Sequence, residues 1–179
     1  MSKPTGAIFS ISTRTFETGP LARFGDVIGG NFAVRASIFE QGYRFDADIG
    51  PANKPYAMGS ETEFLARLVK DGHRVWWLSD LVVEHVVRPE QFRRSWIWRR
   101  TVRYGRGTYR QDAYEHPEPP FLFGMPRYAI RQVASEGLRA VLAALAGRRK
   151  QCFEALWMIA FTWGQLVEGR RMRKENAPR

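Results

Sequence analysis

Gly59-Ser60-Glu61-Thr62-Glu63-Phe64-Leu65-Ala66-Arg67-Leu68 opens the most regular segment in the first half of this 179-residue chain. Ser60 and Glu63 have the S-x-x-E spacing of a capping box, in which each side chain accepts a hydrogen bond from an otherwise orphaned N–H group. Phe64, Leu65 and Leu68 supply an apolar face at helical spacing, and Asp71-Gly72 provides the stop. The pattern predicts a helix from Ser60 to Asp71-Gly72. Glu61 falls in its first turn, where free N–H groups and the helix dipole favour negative charge.

Downstream, His73 to Leu78 and Leu81 to Val87 are β-branched and aromatic, and the turn at Ser79-Asp80 divides them into two expected strands. Upstream, Gly29 to Arg35 reads as a turn entering a short strand. Ser37 is placed to cap a brief helix through Phe39 and Gln41. Arg44 to Met58 is turn-rich and reads as an ordered loop. Residues 1–27 read as a strand remnant and loops. Pro89 suits the first position of a further helix, from about Glu90 to Gly105 or Arg110, with Gly105 and Gly107 softening its end. Pro117, Pro119 and Pro120 mark a linker. Two more helices are expected at about Pro126–Ala146 and Arg149–Arg171, broken at Gly147. No internal repeat is visible.

The charge is one-sided. Residues 1–87 hold 9 Lys/Arg and 10 Asp/Glu, whereas residues 88–179 hold 19 and 8, so the net +10 lies entirely in the second half. Such a surface favours a polyanion, whether lipid headgroups, nucleic acid or a pyrophosphate, or is simply a solvated helical face. The single cysteine, Cys152, excludes an internal disulfide framework. No basic-then-apolar leader opens the chain, and no run of about 18 uncharged apolar residues predicts a membrane span. No helix-turn-helix, zinc or RNA-binding signature is recognisable, so nucleic acid is not an expected partner.

Three strings in order, Gly30-Asn31-Phe32-Ala33-Val34-Arg35, Phe45-Asp46-Ala47-Asp48-Ile49-Gly50 and Gly59 to Leu68, are followed by Gly72-His73-Arg74-Val75 and Val82-Val83-Glu84-His85. Over roughly residues 28–110 this series resembles family-2 inverting glycosyltransferases. In these, a G-x-N-x-x-x-R strand and an F-D-x-x-L-G segment precede an acidic pair at a helix start, and a later strand ends in V-x-H. The resemblance implies an α/β fold class. It would be part of a GT-A (nucleotide-diphospho-sugar transferase-like) fold with a mixed sheet, followed by C-terminal helices. The implied layout is the C-terminal part of a catalytic domain at 1–88, a basic aromatic helix at 89–112, a Pro-rich linker at 113–125, an amphipathic helical pair at 126–171 and a disordered tail at 172–179. The donor-binding half, with its upstream D-x-D, is expected to be missing, so that the chain reads as truncated.

The implied chemistry is transfer from a nucleotide-diphosphate sugar to an acceptor hydroxyl, carbohydrate or lipid-linked, in cell-envelope polysaccharide synthesis. Inversion needs a base that takes the hydroxyl proton as the oxygen attacks the anomeric carbon. Glu61 stands at the family's second acidic position and is the implied catalytic base; otherwise it is a favourable first-turn charge. Ser60 replaces the first acid of the pair. His85 is implied as a ligand of a divalent metal (Mg or Mn) or as a direct diphosphate contact; otherwise it is a strand-end histidine. Asp46 and Asp48 form a literal D-x-D, but inside the F-D-x-x-L-G element, and are assigned to loop structure. Arg35 is a candidate brace for that loop or for neighbouring carboxylates.

Gln91-Phe92-Arg93-Arg94-Ser95-Trp96 is similar to the Q-x-x-R-W motif of processive members, with Trp96 one residue late. It makes Arg94 a candidate for the donor pyrophosphate, since guanidinium suits phosphate geometry. The seven arginines Arg93, Arg94, Arg99, Arg100, Arg103, Arg106 and Arg110 are alternatively expected to face anionic lipid. Aromatic and cationic residues at the ends of the last two helices fit a helix lying in a bilayer interface. The expected setting is therefore cytoplasmic, peripheral on the inner face of the plasma membrane, with an anionic membrane surface as partner. The alternative function is a non-catalytic membrane-binding scaffold.

Overall fold

The structure, a computed structural model, describes residues 7–11, 16–21, 27, 29–51, 56–115 and 119–175. The described chain is mostly helical, with two small two-stranded antiparallel sheets. It divides into two compact units, Met1–Phe92 and Arg93–Arg179.

In the first unit the elements are β1 (Gly19–Pro20), α1 (Ala36–Glu40), α2 (Ser60–Lys70) and β2 (Trp76–Trp77). Helix α2 carries the core: Phe64, Leu65 and Leu68 are buried together with Ile38 of α1, and Val34, Phe39, Tyr43 and Val75 pack around them. Phe45 stacks on Phe64 with ring centroids 4.4 Å apart, which ties the loop after α1 to the first turn of α2.

The stop of α2 is as its sequence predicts. Gly72 takes φ 90°, and the N–H groups of Gly72 and His73 donate to the carbonyls of Val69 and Leu68 at 3.0 and 2.9 Å. This is a Schellman closure, which needs a residue at ease with positive φ. Tyr43 donates its hydroxyl to Asp71 at 2.8 Å, and that hydrogen bond to a carboxylate raises the phenol pKa.

The start of α2 differs from expectation. Gly59, at φ 102°, is the N-cap, and no side chain caps the helix. Ser60 lies inside the helix, so the Ser60–Glu63 capping box does not form. Glu63 instead pairs through both carboxylate oxygens with Arg67, one turn later. A two-pronged guanidinium–carboxylate pair outcompetes a single back-bond to a neutral N–H. Arg67 also donates to the Arg44 carbonyl at 2.7 Å, and Arg44 donates to the carbonyls of Phe39 and Tyr43. These two arginines brace the loop, the role expected of Arg35, whose backbone caps α1 while its side chain is exposed. Ser37 lies within α1 and caps nothing.

The strands are shorter than their composition predicts. Among the described residues Trp76–Trp77 is the part that pairs as a strand, with Gly19 opposite Trp77 and Pro20 opposite Trp76. Neither 31–35 nor 81–87 forms a strand. A strand exists only where another backbone completes its hydrogen bonds. Among the described residues none pairs with 81–87, although Asn31 donates its side-chain amide to the Leu81 carbonyl at 2.9 Å.

In the second unit a basic helix, α3 (Arg94–Glu115), leads to a hairpin of β3 (Phe121–Leu122) and β4 (Met125–Pro126), then to α4 (Arg127–Leu145) and α5 (Arg149–Glu175). Pro89–Phe92 is a separate 3-10 turn rather than the first turn of α3. The hairpin lies just after the prolines that read as plain linker; Phe123 and Gly124 both take positive φ, the geometry of a tight two-residue β-turn. Helices α4 and α5 lie where periodicity places them, with Gly147 at φ 67° closing α4. Helix α5 runs on to Glu175 through part of the expected tail; residues 176–179 lie outside the described set.

Helix α3 also runs on past its expected end, because Gly105 and Gly107 do not loosen it. A methyl placed on Gly105 would lie 1.9 Å from the Phe161 carbonyl oxygen of α5, and one on Gly164 would lie 2.1 Å from the Val102 carbonyl oxygen of α3. The two backbones touch at those glycines. Between the same helices Glu168, fully buried, accepts hydrogen bonds from Arg106 at 2.6 Å and Arg110 at 2.5 Å. Helix α5 packs against both α3 and α4. No helix among the described residues is long and apolar enough to cross a membrane.

Candidate functional site

Four separated pieces of sequence meet around the N-terminus of α2. The Glu61 carboxylate rests on the backbone of the Gly29-Gly30 turn: a methyl on Gly29 would stand 3.0 Å from its carboxyl carbon and 3.1 and 3.3 Å from its oxygens. A side chain at this position would press on the carboxylate and shift it by a few tenths of an ångström. Ser60 donates its hydroxyl to Glu61 Oε2 at 3.3 Å. On its other side Ser60 faces Gly50, where a methyl would lie 3.4 Å from its Cβ and Oγ. Gly50 takes φ 105° and donates its N–H to Ala57 at 2.9 Å, beside a parallel bridge between Ile49 and Ala57. Asn31 holds the glycine turn to Leu81.

Glu61 is thus half-buried, directed by its helix, its serine neighbour and a glycine seat. A fixed and partly accessible carboxylate can accept a proton from a hydroxyl brought against it. Gly29 is the glycine of the G-x-N-x-x-x-R pattern that Asn31 and Arg35 complete, so this member of the site is signalled in the sequence.

The other candidates sit differently. His85 is exposed in the extended segment that follows Leu81. Arg94 belongs to the second unit, exposed at the first residue of α3. Asp46 accepts the Asp48 backbone N–H at 2.8 Å, a local turn that spends its carboxylate on the loop. Among the described residues no group of three or more His, Cys, Asp or Glu stands together as a metal would need. One exposed imidazole fixes no metal. The described residues do not make up a metal centre.

Of the seven arginines expected to face lipid, Arg106 and Arg110 are buried with Glu168. A charge that already has a buried partner is not available to a surface. No family model matches the chain, and no curated protein or solved structure matches it.

Proposed function

We propose that the first unit is the acceptor side of an inverting sugar-transfer site of the GT-A kind, with Glu61 as general base. The observation that carries this reading is the seating of Glu61 on the Gly29 turn, with Ser60 against Gly50 and Asn31 bound to Leu81. Segments picked out in sequence for one chemistry meet around one carboxylate. The acceptor oxygen attacks the anomeric carbon, the bond to the nucleoside diphosphate breaks, and the acceptor proton passes to a Glu61 oxygen. Fixing the carboxylate matters because a base displaced by about 1 Å can lose roughly a hundredfold in rate. The donor is a nucleotide-diphosphate sugar and the acceptor a carbohydrate or lipid-linked hydroxyl.

The test is sugar transfer by the full chain supplied with a donor-binding half of the GT-A kind, from a panel of labelled nucleotide-diphosphate sugars, with membrane extract as the acceptor source. Glu61→Gln is expected to lower transfer by about a hundredfold or more, the usual contribution of a positioned base. Retained transfer in that variant counts against Glu61, and no donor-dependent transfer by the unaltered chain counts against the reading itself. A second reading, a non-catalytic membrane-binding scaffold, is favoured by the exposed apolar stripe of α4. Under it Glu61→Gln changes nothing measurable.

A further inference from the structure

Helix α4 ends with its hydrocarbon facing outward. Leu138, Val141, Leu142 and Leu145 recur at the spacing of a single helical face, and all four are exposed, Leu145 to 82%. Phe153 and Leu156, in the first two turns of α5, are exposed as well. A stripe of this kind on the surface of a water-soluble unit marks a contact with something apolar.

The charges around it say what. The turn joining the two helices carries Arg148, Arg149 and Lys150, all exposed, and among the described residues none of the three makes an ion pair. Nearby, Glu136 and Glu154 are both engaged by Arg139, at 3.3 and 3.6 Å. Arg149 and Lys150 also stand in the first turn of α5, which contains no acidic residue. Cations there oppose the helix dipole, so helix stability does not account for them. An external anionic surface relieves that repulsion and at the same time covers the leucines.

We infer that the α4–α5 turn is a docking surface for an anionic phospholipid bilayer, with Leu138, Val141, Leu142 and Leu145 in the acyl boundary and Arg148, Arg149 and Lys150 at the headgroup phosphates. Hydrocarbon flanked by unpaired cations is the composition of an interfacial anchor. The surface is independent of the Glu61 site and needs no sugar-transfer activity.

The experiment is co-sedimentation of the full chain with vesicles of phosphatidylcholine alone and of phosphatidylcholine containing about one third phosphatidylglycerol. Binding is expected to the anionic vesicles and to weaken with salt. Charge reversal of Arg148, Arg149 and Lys150 to Glu is expected to lower partitioning about tenfold or more. Leu142→Glu with Leu145→Glu is expected to do the same with unchanged helical circular dichroism, since both positions are exposed. Equal binding to neutral and anionic vesicles, no vesicle binding, or tighter binding to duplex DNA at matched salt would each overturn the inference. So would a dimer of the unaltered chain that the leucine variants dissociate, because a second copy would then be what covers the stripe.

Discussion

Glu168 in the helical unit is fully buried between two arginines, whereas Val82 in the α2 unit is 82% exposed. At these two places charge is enclosed and hydrocarbon is left in water, the reverse of what polarity alone would order. The difference lies in how each backbone is satisfied. Helices complete their hydrogen bonds internally, so α3 and α5 need only complementary side chains to close on one another. A strand-like segment needs a neighbouring backbone, and its side chains stay uncovered until one arrives. The second unit therefore supplies most of its own requirements, while the first holds a small core on α2 and leaves residues 81–87 open.

The strongest way to break this contrast is Glu168→Gln. It removes the anion that Arg106 and Arg110 share, leaving Arg110 the longer contact to Glu175 at 3.8 Å, and removing one partner of a buried ion pair costs roughly 3–5 kcal/mol. Urea unfolding followed by helical circular dichroism should show that loss. Replacing the three together, Arg106→Met, Glu168→Leu and Arg110→Met, should recover most of it, because an apolar set of similar volume avoids the desolvation of ions. Failure of the triple variant to recover would mean that the charges also select the register between α3 and α5.

The glycines should show the next largest effect. Alanine normally stabilises a helix interior over glycine by about 1 kcal/mol. At Gly164 the new methyl meets the Val102 carbonyl, so the helices must part, and a net loss of about 1–3 kcal/mol is expected. Gly137 of α4, where nothing lies within 4 Å of such a methyl, is the matched control and should gain stability. Equal responses at the two sites would show that α3 and α5 are not in backbone contact.

These same residues explain what the sequence makes legible. Gly147 and Gly72 act through their own φ, a local property, and both helix stops can be read from spacing alone. Gly105 acts through Phe161, far along the chain, and by local rules it looks like a helix end. Ser60-Glu63 has the spacing of a cap, yet Arg67, four residues after Glu63, draws the carboxylate away. The seven arginines from Arg93 to Arg110 look alike in sequence; only their pairing with Glu168 separates Arg106 and Arg110 from the rest. At the candidate site the motifs identify Glu61 and Asn31 as residues to watch. The seat on Gly29 and the bond to Leu81 are tertiary facts that no spacing encodes.

The smallest expected effect is also the one that sharpens the contrast most. Val82 and Val86 are 82% and 79% exposed. Changing both to Thr keeps the β-branch and removes hydrocarbon that water already reaches, so the isolated chain should lose no more than about 0.5 kcal/mol. The amides of Val83 to Val86 should exchange with solvent at rates close to those of an unstructured peptide, because no ladder protects them. A clear loss of stability, or slow exchange, would mean that a neighbouring backbone covers 81–87 in solution. The contrast between the units would then be one of composition alone. If the prediction holds, Asn31 is the main tie between this segment and the Gly29 turn. Asn31→Ala should then free residues 81–85 from the Glu61 site without melting the core around Phe64.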